Sequence, residues 1–441
     1  MRVAVIGASL AGLFVAAAAA SRGAETILLE RDRLPTSPRP RKGVPQGRQA
    51  HVLLHRGLLS ASALLPGLRE DLIAHGASVF DGGTMPWLGE YGWMPTWLPS
   101  FELVSVTRPL LEHVVRQRVA ALPGVTILQG VRAAGLHRCG DGWQVQAEDH
   151  DPVDADVVID ASGRSSRMPH WLADLDVRVR EPEVVDAHLG YACRLYRTNG
   201  PAPLGTGVVI AATPESGRGA IALPVENDQW LIIAGGYGEH RPGRDPAELL
   251  AYLEALPDPA IADVVGRLVP VSDVAVYRQT SNRRHRYGLT RSWPAGLLVV
   301  GDAACAFNPV YGQGITVAAQ QAVKLRDGWG RPDLQRRLDR VADFCWSVAT
   351  SEDLRQPSSG RSQNAAQQAL GVWSAQLAQL AAAGDEQAYW TFAQVYHLMI
   401  EPRALFSPAL ALAVARARVR GFGPAAPRPD VLNRLRVPQA A

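Results

Sequence analysis

The sequence contains very little lysine: Lys42 and Lys324 are its two lysines among 45 basic residues. Chemistry that depends on a lysine amine therefore has few positions where it could be built. A surplus of charge of either sign is also missing, because the formal net charge is +3. Such a small imbalance gives no reason to expect binding to nucleic acid or to a charged membrane surface.

Cysteine is scarce as well, and the four residues are Cys139, Cys193, Cys305 and Cys345. Their spacing fits neither a metal site nor a redox pair, so we expect no metal and a reducing, cytoplasmic setting. No uninterrupted apolar stretch reaches the ~18 residues of a membrane span. We expect residues 1–20 to belong to the fold and not to a signal peptide, because glycines interrupt them and a strand follows.

Apolar residues fill 47% of the 441 positions, which is enough for a large core and two or three domains. The apolar runs predict strands at 3–6, 26–29, 125–128, 157–159 and 297–300, and helices at 10–21, at 108–122 and from about 314. Between 186 and 279, runs at 208–210, 220–223 and 230–233 predict an antiparallel sheet. Residues 35–48 and 80–100 are expected to be irregular, and the chain after 331 to be helical.

This order predicts an α/β fold in which a discontinuous Rossmann-like cofactor domain carries an inserted antiparallel β-sheet substrate domain and a C-terminal helical region. We expect the cofactor domain to comprise residues 1–79, 101–185 and 285–345. Residues 80–100 form a Trp-rich segment on the substrate side. The β-sheet domain spans 186–284 and the C-terminal helices span 346–441.

The first motif is Gly7-Ala8-Ser9-Leu10-Ala11-Gly12, which lies between the first strand and the first helix. Gly7 allows a tight turn, Gly12 lets the helix pack close to the strand, and the helix N-terminus offers N–H groups to a pyrophosphate. Ser9 replaces the usual middle glycine but is small. Glu30 ends the second strand, followed by Arg31, at the spacing of an acid that binds ribose hydroxyls. An acid there disfavours a 2′-phosphate, which favours FAD or NAD over NADP.

Two further motifs each follow a buried strand. Leu298-Val299-Val300-Gly301-Asp302-Ala303-Ala304 continues into Phe307-Asn308-Pro309-Val310-Tyr311-Gly312-Gln313-Gly314, which opens a helix. The second of these motifs is Val157-Val158-Ile159-Asp160-Ala161-Ser162-Gly163-Arg164-Ser165-Ser166. The first of these resembles the flavin-contacting signature of the para-hydroxybenzoate hydroxylase-like FAD monooxygenases. The second resembles the middle motif of that family, with Asp-Ala-Ser-Gly where the family has Asp-Gly.

The resemblance implies FAD as the cofactor and assigns roles to single residues. Asp302 binds a hydroxyl of the ribityl chain, and the segment 308–314, called the flavin-facing loop below, lies beside the isoalloxazine ring. Bare backbone N–H groups at Gly312 and Gly314 suit the negative charge of reduced flavin. The full set of implied cofactor residues is Gly7, Ser9, Ala11, Gly12, Glu30, Arg31, Arg41, Gln46, Arg108, Val131, Asp160, Gly163, Gly301, Asp302, Pro309, Gly312, Gln313 and Gly314.

Within this set, the resemblance places Arg108 near the flavin and Arg41 and Gln46 in a flavin-side loop. A strand at Gly130-Val131 contributes backbone contacts to adenine, and Asp160 is tied to both FAD and NAD(P)H. The departure from Asp-Gly leaves the role of Asp160 open. No second dinucleotide fingerprint is visible, so NAD(P)H donates electrons either directly, in a non-Rossmann manner, or through a separate flavin reductase.

Taken together, the stretches 41–48, 160–164 and 307–314 are similar to the bacterial epoxidases of polyether polyketide biosynthesis, and distantly to squalene epoxidase. The resemblance runs from residue 1 to about 325. It implies transfer of one oxygen atom of O2, through a flavin C4a-hydroperoxide, to an alkene of an apolar molecule in secondary metabolism. The substrate itself does not carry over.

Aromatic side chains are the natural wall of an apolar pocket. The candidates are Tyr311, Trp87, Trp93, Trp97, Tyr191, Tyr196 and Trp230. No side chain stands out as a catalytic base, because His51, His55, His188 and His285 are each interpreted as structural. An alkene needs no base, whereas a phenol does, and this difference favours epoxidation.

Four alternatives stay open at this point. An aromatic hydroxylase would use the same fold. An FAD-dependent C=C reductase similar to geranylgeranyl reductase shares the Asp-Ala-Ser-Gly form. A flavin halogenase needs a suitably placed lysine and a Trp-x-Trp-x-Ile-Pro motif, and the motif is missing from the sequence. A non-catalytic flavin sensor would have little need of the large β domain.

Overall fold

The computed structural model describes residues 1–48, 53–96 and 101–436. The strands of the first half of the chain are β1 (Arg2–Ile6), β2 (Glu25–Glu30), β3 (Ser78–Asp81), β4 (Trp87–Gly89), β5 (Gly92–Trp93), β6 (Glu102–Ser105), β7 (Val125–Gln129), β8 (Ala133–Cys139), β9 (Gly142–Ala147), β10 (His150–Ala155) and β11 (Val157–Asp160). Those that follow are β12 (Glu183–Val185), β13 (Leu189–Thr198), β14 (Val208–Ile210), β15 (Arg218–Val225), β16 (Gln229–Tyr237), β17 (Leu268–Pro270), β18 (Ala275–Tyr277), β19 (Asn282–Arg284), β20 (Leu297–Val299) and β21 (Cys305–Ala306).

The helices begin with α1 (Leu10–Ala20), α2 (His55–Leu64), α3 (Leu68–Ala74), α4 (Arg108–Ala120), α5 (Met168–Asp174), α6 (Pro246–Glu254) and α7 (Ala260–Val265). The chain continues with α8 (Gly314–Asp327), α9 (Leu334–Val341), α10 (Asp343–Asp353), α11 (Ala365–Ala382), α12 (Glu386–Tyr396), α13 (Pro408–Arg420) and α14 (Asp430–Asn433). The α/β fold class predicted from the sequence is therefore confirmed.

A parallel five-stranded sheet with the order β20-β11-β1-β2-β7 forms the centre of the cofactor-side half. Successive side chains of β1 alternate between two apolar clusters. Val3 and Val5 pack under the helices α1, α4 and α8, while Ala4 and Ile6 face the opposite layer. All five predicted strands of this sheet are confirmed within a residue or two.

The opposite layer is a three-stranded antiparallel sheet of β8, β9 and β10, which the sequence analysis did not anticipate. Its Trp143 and Val145 are buried against the parallel sheet. The prediction of a strand at Gly130-Val131 is wrong, because Gly130 has φ +73° and turns the chain between β7 and β8. Val131 instead donates its N–H to the carbonyl of Glu30 at 2.9 Å.

The helix α1 is buried on nearly every side, which explains its run of alanines. Small side chains let it lie between the parallel sheet and the neighbouring helices. The closest approach is at Gly12, where a Cβ atom would lie 1.8 Å from the carbonyl oxygen of Gly7. Gly7 itself has φ +98°. The first motif therefore combines a positive-φ turn with a helix that almost touches it.

An eight-stranded sheet built mainly from β13 to β18 forms the second half of the molecule. The expectation that residues 80–100 are irregular is wrong in part, because β4 and β5 extend this sheet. Val209 pairs with Trp87 and Leu88 pairs with Trp93. Both strands are only two or three residues long, too short for a period-2 pattern to reveal them.

The C-terminal helices α11, α12 and α13 share an apolar cluster of their own. The chain then returns to the eight-stranded sheet, where Leu432 is buried in the sheet's helix-covered core. Arg428 fixes this return through an ion pair with Asp258 at 2.8 Å. Across the described ranges, no helix combines the length and apolar character needed to cross a membrane.

Replacing Gly12 with alanine should destabilise the protein by about 3 kcal/mol, because the rigid backbone of Gly7 cannot move away from the added methyl group. Thermal unfolding of the apoprotein, followed by circular dichroism, measures this effect. The matched control is Gly205→Ala, where a Cβ would meet no atom within 4 Å. Equal unfolding temperatures for Gly12→Ala and Gly205→Ala would contradict the close packing described here.

Candidate functional site

A cavity of about 510 Å³ lies at the carboxyl ends of the parallel strands and reaches the eight-stranded sheet at Tyr277. This is the edge at which open α/β sheets bind ligands. The three sequence motifs converge on it. The predicted cofactor residues that line it are Ser9, Ala11, Arg31, Gln46, Arg108, Gly163, Gly301, Asp302, Pro309, Gly312, Gln313 and Gly314.

Six of the predicted cofactor residues lie outside the lining of this cavity. They are Gly7, Gly12, Glu30, Arg41, Val131 and Asp160. The two glycines allow close packing, since a Cβ on Gly7 would lie 2.8 Å from the carbonyl oxygen of Ala161. This contact holds the first motif against the middle motif.

At the start of α1, the side chain of Ser9 makes no capping hydrogen bond to the helix. It donates instead to Glu112 at 2.9 Å and accepts from Arg108 at 2.8 Å. The first-turn N–H groups of α1 therefore have no side-chain cap, and Leu10 and Ala11 line the cavity. An uncapped helix N-terminus beside an arginine suits the pyrophosphate of a dinucleotide.

Behind this end of the cavity, Arg41 is buried among three carboxylates. Its guanidinium lies 2.6 Å from Glu112, 2.8 Å from Asp32 and 3.1 Å from Glu30. Burial opposes the charge of Arg41, but Glu112 and Glu30 raise its pKa above the ordinary value. Burial likewise opposes the charge of Glu112, and Arg108 and Arg41 together lower its pKa. The cluster therefore sets two guanidinium groups, of Arg41 and Arg108, against three carboxylates.

Glu112 and Asp32 were missed in the sequence analysis. A signal for Glu112 exists, because Arg108 and Glu112 are four residues apart on one helix and form an ion pair at 3.4 Å. Glu30 accepts from the N–H groups of Ala8 and Asp32, both at 2.9 Å. Its carboxylate thus ties the end of β2 to the first motif.

In the middle motif, Asp160 is fully buried and organises the turn that follows β11. Its carboxylate accepts from Ser162 N at 2.9 Å and from the hydroxyls of Ser162 and Ser166. Burial raises the pKa of Asp160. The turn carries Gly163 and Arg164 into the cavity lining, and Arg164 donates to the carbonyls of Ser281 and Phe307. Arg164, which the sequence analysis did not single out, therefore joins the middle motif to Phe307, directly before the flavin-facing loop.

Part of the third motif, at Asp302 and from Gly312 to Gly314, presents polar groups to the cavity. Asp302 lines the cavity, and its carboxylate lies 3.8 Å from Arg164. Gln313 is only 2% exposed, and its Oε1 atom has no hydrogen-bond partner within the described chain. A Cβ on Gly312, whose φ is +66°, would meet no atom within 4 Å. An unpaired buried oxygen and a bare backbone beside open space fit the isoalloxazine and ribityl parts of FAD.

The aromatic candidates separate onto the two faces of the eight-stranded sheet. Tyr191 pairs in register with Tyr277, which lines the cavity, and its hydroxyl donates to Asn308 at 3.2 Å. Trp93, Tyr196 and Trp230 are buried in the cluster under α6 and α7, on the other face. Their side chains therefore pack away from the cavity. Trp97 lies outside the described residues.

Trp87 belongs to an aromatic cluster that the sequence analysis did not predict. Its ring packs edge-on against Tyr396 at 5.9 Å, and Phe101 contacts His397 at 4.8 Å and Trp390 at 6.2 Å. Tyr396 also donates its hydroxyl to the carbonyl of Tyr311 at 3.4 Å, so the cluster adjoins the flavin-facing loop. In the sequence, this cluster is indicated only by the aromatic residues of α12, and they do not reveal which other residues they will contact.

The three candidate histidines that the structure describes lie away from the cavity lining. His55 contacts the carbonyl of Glu102 at 3.3 Å and the ring of Phe101. His285 stacks on Tyr287, and burial lowers the pKa of His285 to about 4. His188 has φ +52° and lies 3.8 Å from Asp186. His51 lies outside the part of the chain that the structure describes.

Comparison with known proteins gives a family match over most of the chain. The profile of the family described as FAD binding domain matches residues 1–329. Protein Rv3254 of Mycobacterium tuberculosis is 29% identical over 359 residues, which cover 76% of each chain. The chloroplastic zeaxanthin epoxidase of Nicotiana plumbaginifolia is 24% identical over 387 residues, covering 82% of this chain and 52% of that protein.

Among solved structures, a flavoprotein/dehydrogenase from Cytophaga hutchinsonii superposes with a TM-score of 0.68 at 14% identity. The match covers 95% of this chain and 100% of the other. At this identity the similarity is one of fold.

Replacing Asp302 with alanine should weaken FAD binding about tenfold or more while leaving the fold intact. The change removes a charge-assisted hydrogen bond worth about 1.5–3 kcal/mol, and the core strand β20 is untouched. FAD occupancy after identical dialysis measures the loss. Asp327→Ala, at the exposed end of α8, is the matched control and should keep wild-type occupancy. Equal occupancy in both variants would refute the assignment of Asp302.

We expect the bound FAD to be held without a covalent link. Cys305 is the nearest cysteine to the motif glycines, but its side chain is buried, and burial raises the pKa of its thiol. Acid precipitation should therefore release the yellow chromophore into the supernatant. A yellow pellet would contradict this expectation, and loss of the colour in Cys305→Ser would then place the link at Cys305.

Proposed function

The chain belongs to the FAD-binding-domain family, and we propose that this FAD-dependent monooxygenase adds one oxygen atom of O2 to an alkene of a largely apolar substrate. In the balanced reaction, alkene, O2, NAD(P)H and H⁺ give epoxide, water and NAD(P)⁺. The electrons arrive from NAD(P)H either directly or through a separate flavin reductase. The name of one relative, zeaxanthin epoxidase, supports this reaction class.

The bound FAD supplies the redox chemistry, so the chain's own residues have to hold the cofactor, place the substrate and exclude water. The uncapped N-terminus of α1 would hold the pyrophosphate, and Arg108, which also lines the cavity, would lie near the flavin. Asp302 would accept a hydrogen bond from the ribityl chain. The backbone from Gly312 to Gly314, at the start of α8, would face the anionic part of the reduced ring.

The observation that carries the proposal is the aromatic cluster against the flavin-facing loop. In this cluster the rings of four residues pack in pairs beside the loop, Trp87 with Tyr396 and Phe101 with Trp390. We infer that these rings form the apolar wall of the substrate site. Burial lowers the pKa of His397 within this cluster to about 4. Its imidazole is therefore neutral and only weakly basic near pH 7. Such a surface suits an alkene, which reacts without losing a proton, better than a phenol, which has to be deprotonated.

Turnover of a candidate polyene under ¹⁸O2, with an electron source and mass spectrometry of the product, tests the proposal. The expected product carries one labelled oxygen at a former double bond. A product that gains two hydrogens equally well without O2 would identify a reductase. Oxygen found only on an aromatic ring would keep the cofactor and the fold but refute epoxidation.

The cluster should also control substrate affinity. Trp87→Ala is expected to raise KM several-fold more than it lowers kcat, because it removes apolar contact surface on the substrate side and leaves the cofactor residues unchanged. Trp143→Phe, in the core behind the parallel sheet, is the matched control and should leave KM unchanged. A KM that is the same in Trp87→Ala and wild type would place the substrate elsewhere.

A further inference from the structure

A buried carboxyl group lies behind the flavin-facing loop. Asp353, the last residue of α10, has 0% of its surface exposed. Within the described chain, no arginine, lysine or histidine nitrogen lies within 4.0 Å of its carboxylate, so it forms no ion pair there. A buried charge without a counter-ion is uncommon and needs strong hydrogen bonds to be retained.

Neutral donors from two elements converge on this carboxylate. Asn282, on β19, donates its Nδ2 to Oδ2 at 2.6 Å. Asn308 donates its Nδ2 to the two oxygens at 3.0 and 3.1 Å, and the hydroxyl of Tyr311 donates to Oδ1 at 2.9 Å. Two of the three partners therefore belong to the flavin-facing loop and flank Pro309 and Val310.

The orientation of both amides is fixed by their other contacts. The Oδ1 atom of Asn282 accepts from the backbone N–H of Asn308 at 2.7 Å. The Oδ1 atom of Asn308 accepts from Val310 N at 3.1 Å and from the hydroxyl of Tyr191 at 3.2 Å. Only N–H groups of the two amides can therefore face Asp353.

We propose that Asp353 is the positioning residue of the flavin-facing loop, and that its ionised carboxylate holds Asn308 and Tyr311 so that the segment from Pro309 to Gly314 fits the bound cofactor. The proposal rests on the proposed function only in taking this loop as the part that faces the flavin. It gives Asp353 no role as a base, because its oxygens are already occupied.

The charge state of Asp353 follows from the same surroundings. Burial raises its pKa from the ordinary 3.8 to about 6, against the opposing effect of the hydrogen bonds from Asn308, Tyr311 and Asn282, and the charge of Asp186 raises it further. The other titratable groups near the network are Tyr191, Tyr237, Tyr311 and Glu352. Burial raises the pKa of each tyrosine above its usual value, so they stay neutral between pH 5 and 8.

Protonation would turn one carboxylate oxygen into an O–H donor. Either the hydroxyl of Tyr311 would then have to turn and accept, or a contact with an amide N–H would be lost, so the set of contacts that holds the loop would change. Ionisation of Asp353 has the opposite effect on the stability of the whole fold. Because the folded pKa lies above the unfolded value, this group makes unfolding easier as pH rises from about 4 to about 6. Above about pH 6, the ionised carboxylate of Asp353 should therefore hold the loop, although its ionisation lowers the stability of the fold as a whole.

The test is FAD affinity as a function of pH, measured by fluorescence titration of the apoprotein from pH 5 to pH 8. Wild-type affinity should fall about tenfold between pH 7 and pH 5, since about a tenth of Asp353 stays ionised one unit below its pKa. Asp353→Asn should bind about tenfold more weakly at pH 7 and lose this pH step. Its flavin absorption band at saturating FAD should match that of wild type at pH 5.

The matched control is Asp339→Asn. Asp339 is also buried with a raised pKa, but it accepts from Gly288 N and from Gln335, and neither belongs to the loop. This variant should keep the wild-type pH step. Tyr311→Phe removes one of the two loop contacts and should lower affinity about threefold while keeping part of the step.

Wild-type affinity and pH profile in Asp353→Asn would overturn the proposal, and so would loss of the step in Asp339→Asn. If Asp353→Asn does not fold, an unchanged affinity and an unchanged profile in Tyr311→Phe would overturn it. Failure of the wild-type protein to bind FAD would instead refute the proposed function. These outcomes are distinct from one another.

Discussion

The close approach of three turns at one edge of the parallel sheet is the constraint on which the rest of the structure depends. A Cβ atom on Gly7 would collide with Ala161, one on Gly12 with Gly7, and one on Gly301 with the methyl group of Ala11 at 2.8 Å. The glycines thus bring the ends of β1, β11 and β20 together. Because these turns also carry Ser9, Gly163 and Asp302, the same packing that joins the strands assembles the cavity lining.

The two ends of the cavity differ in the polar groups that lie behind them. At the α1 end, Arg41 and Arg108 form ion pairs with Glu30, Asp32 and Glu112, so charged groups of both signs lie close together. At the loop end, a single carboxylate is surrounded by amides and hydroxyls. Such a division would suit a cofactor that places its pyrophosphate at the first end and its ring at the second.

Much of this could be predicted from the sequence, because strand–glycine–helix patterns are local. The strands of the parallel sheet, α1, α4, α8 and the turns that line the cavity follow from runs of apolar residues and from residues adjacent to them. The contacts between distant parts of the chain could not be predicted. Asn308 meets Asp353, and Tyr396 meets Tyr311, across 45 and 85 residues. The spacing of apolar residues along the sequence does not indicate which distant residues will meet. The strands β4 and β5 are too short to show such a spacing.

The return of the chain to the eight-stranded sheet has a consequence for synthesis. This sheet takes β4 and β5 from residues 87–93 and fills its helix-covered core with Leu432. On the ribosome, the early strands exist long before the residues that cover them, so the sheet keeps an incomplete core until translation passes residue 432. Chaperones bind apolar surface that is exposed during synthesis. A chain truncated before Arg428 would lack the segment that covers this part of the sheet, and the apolar surface would stay exposed.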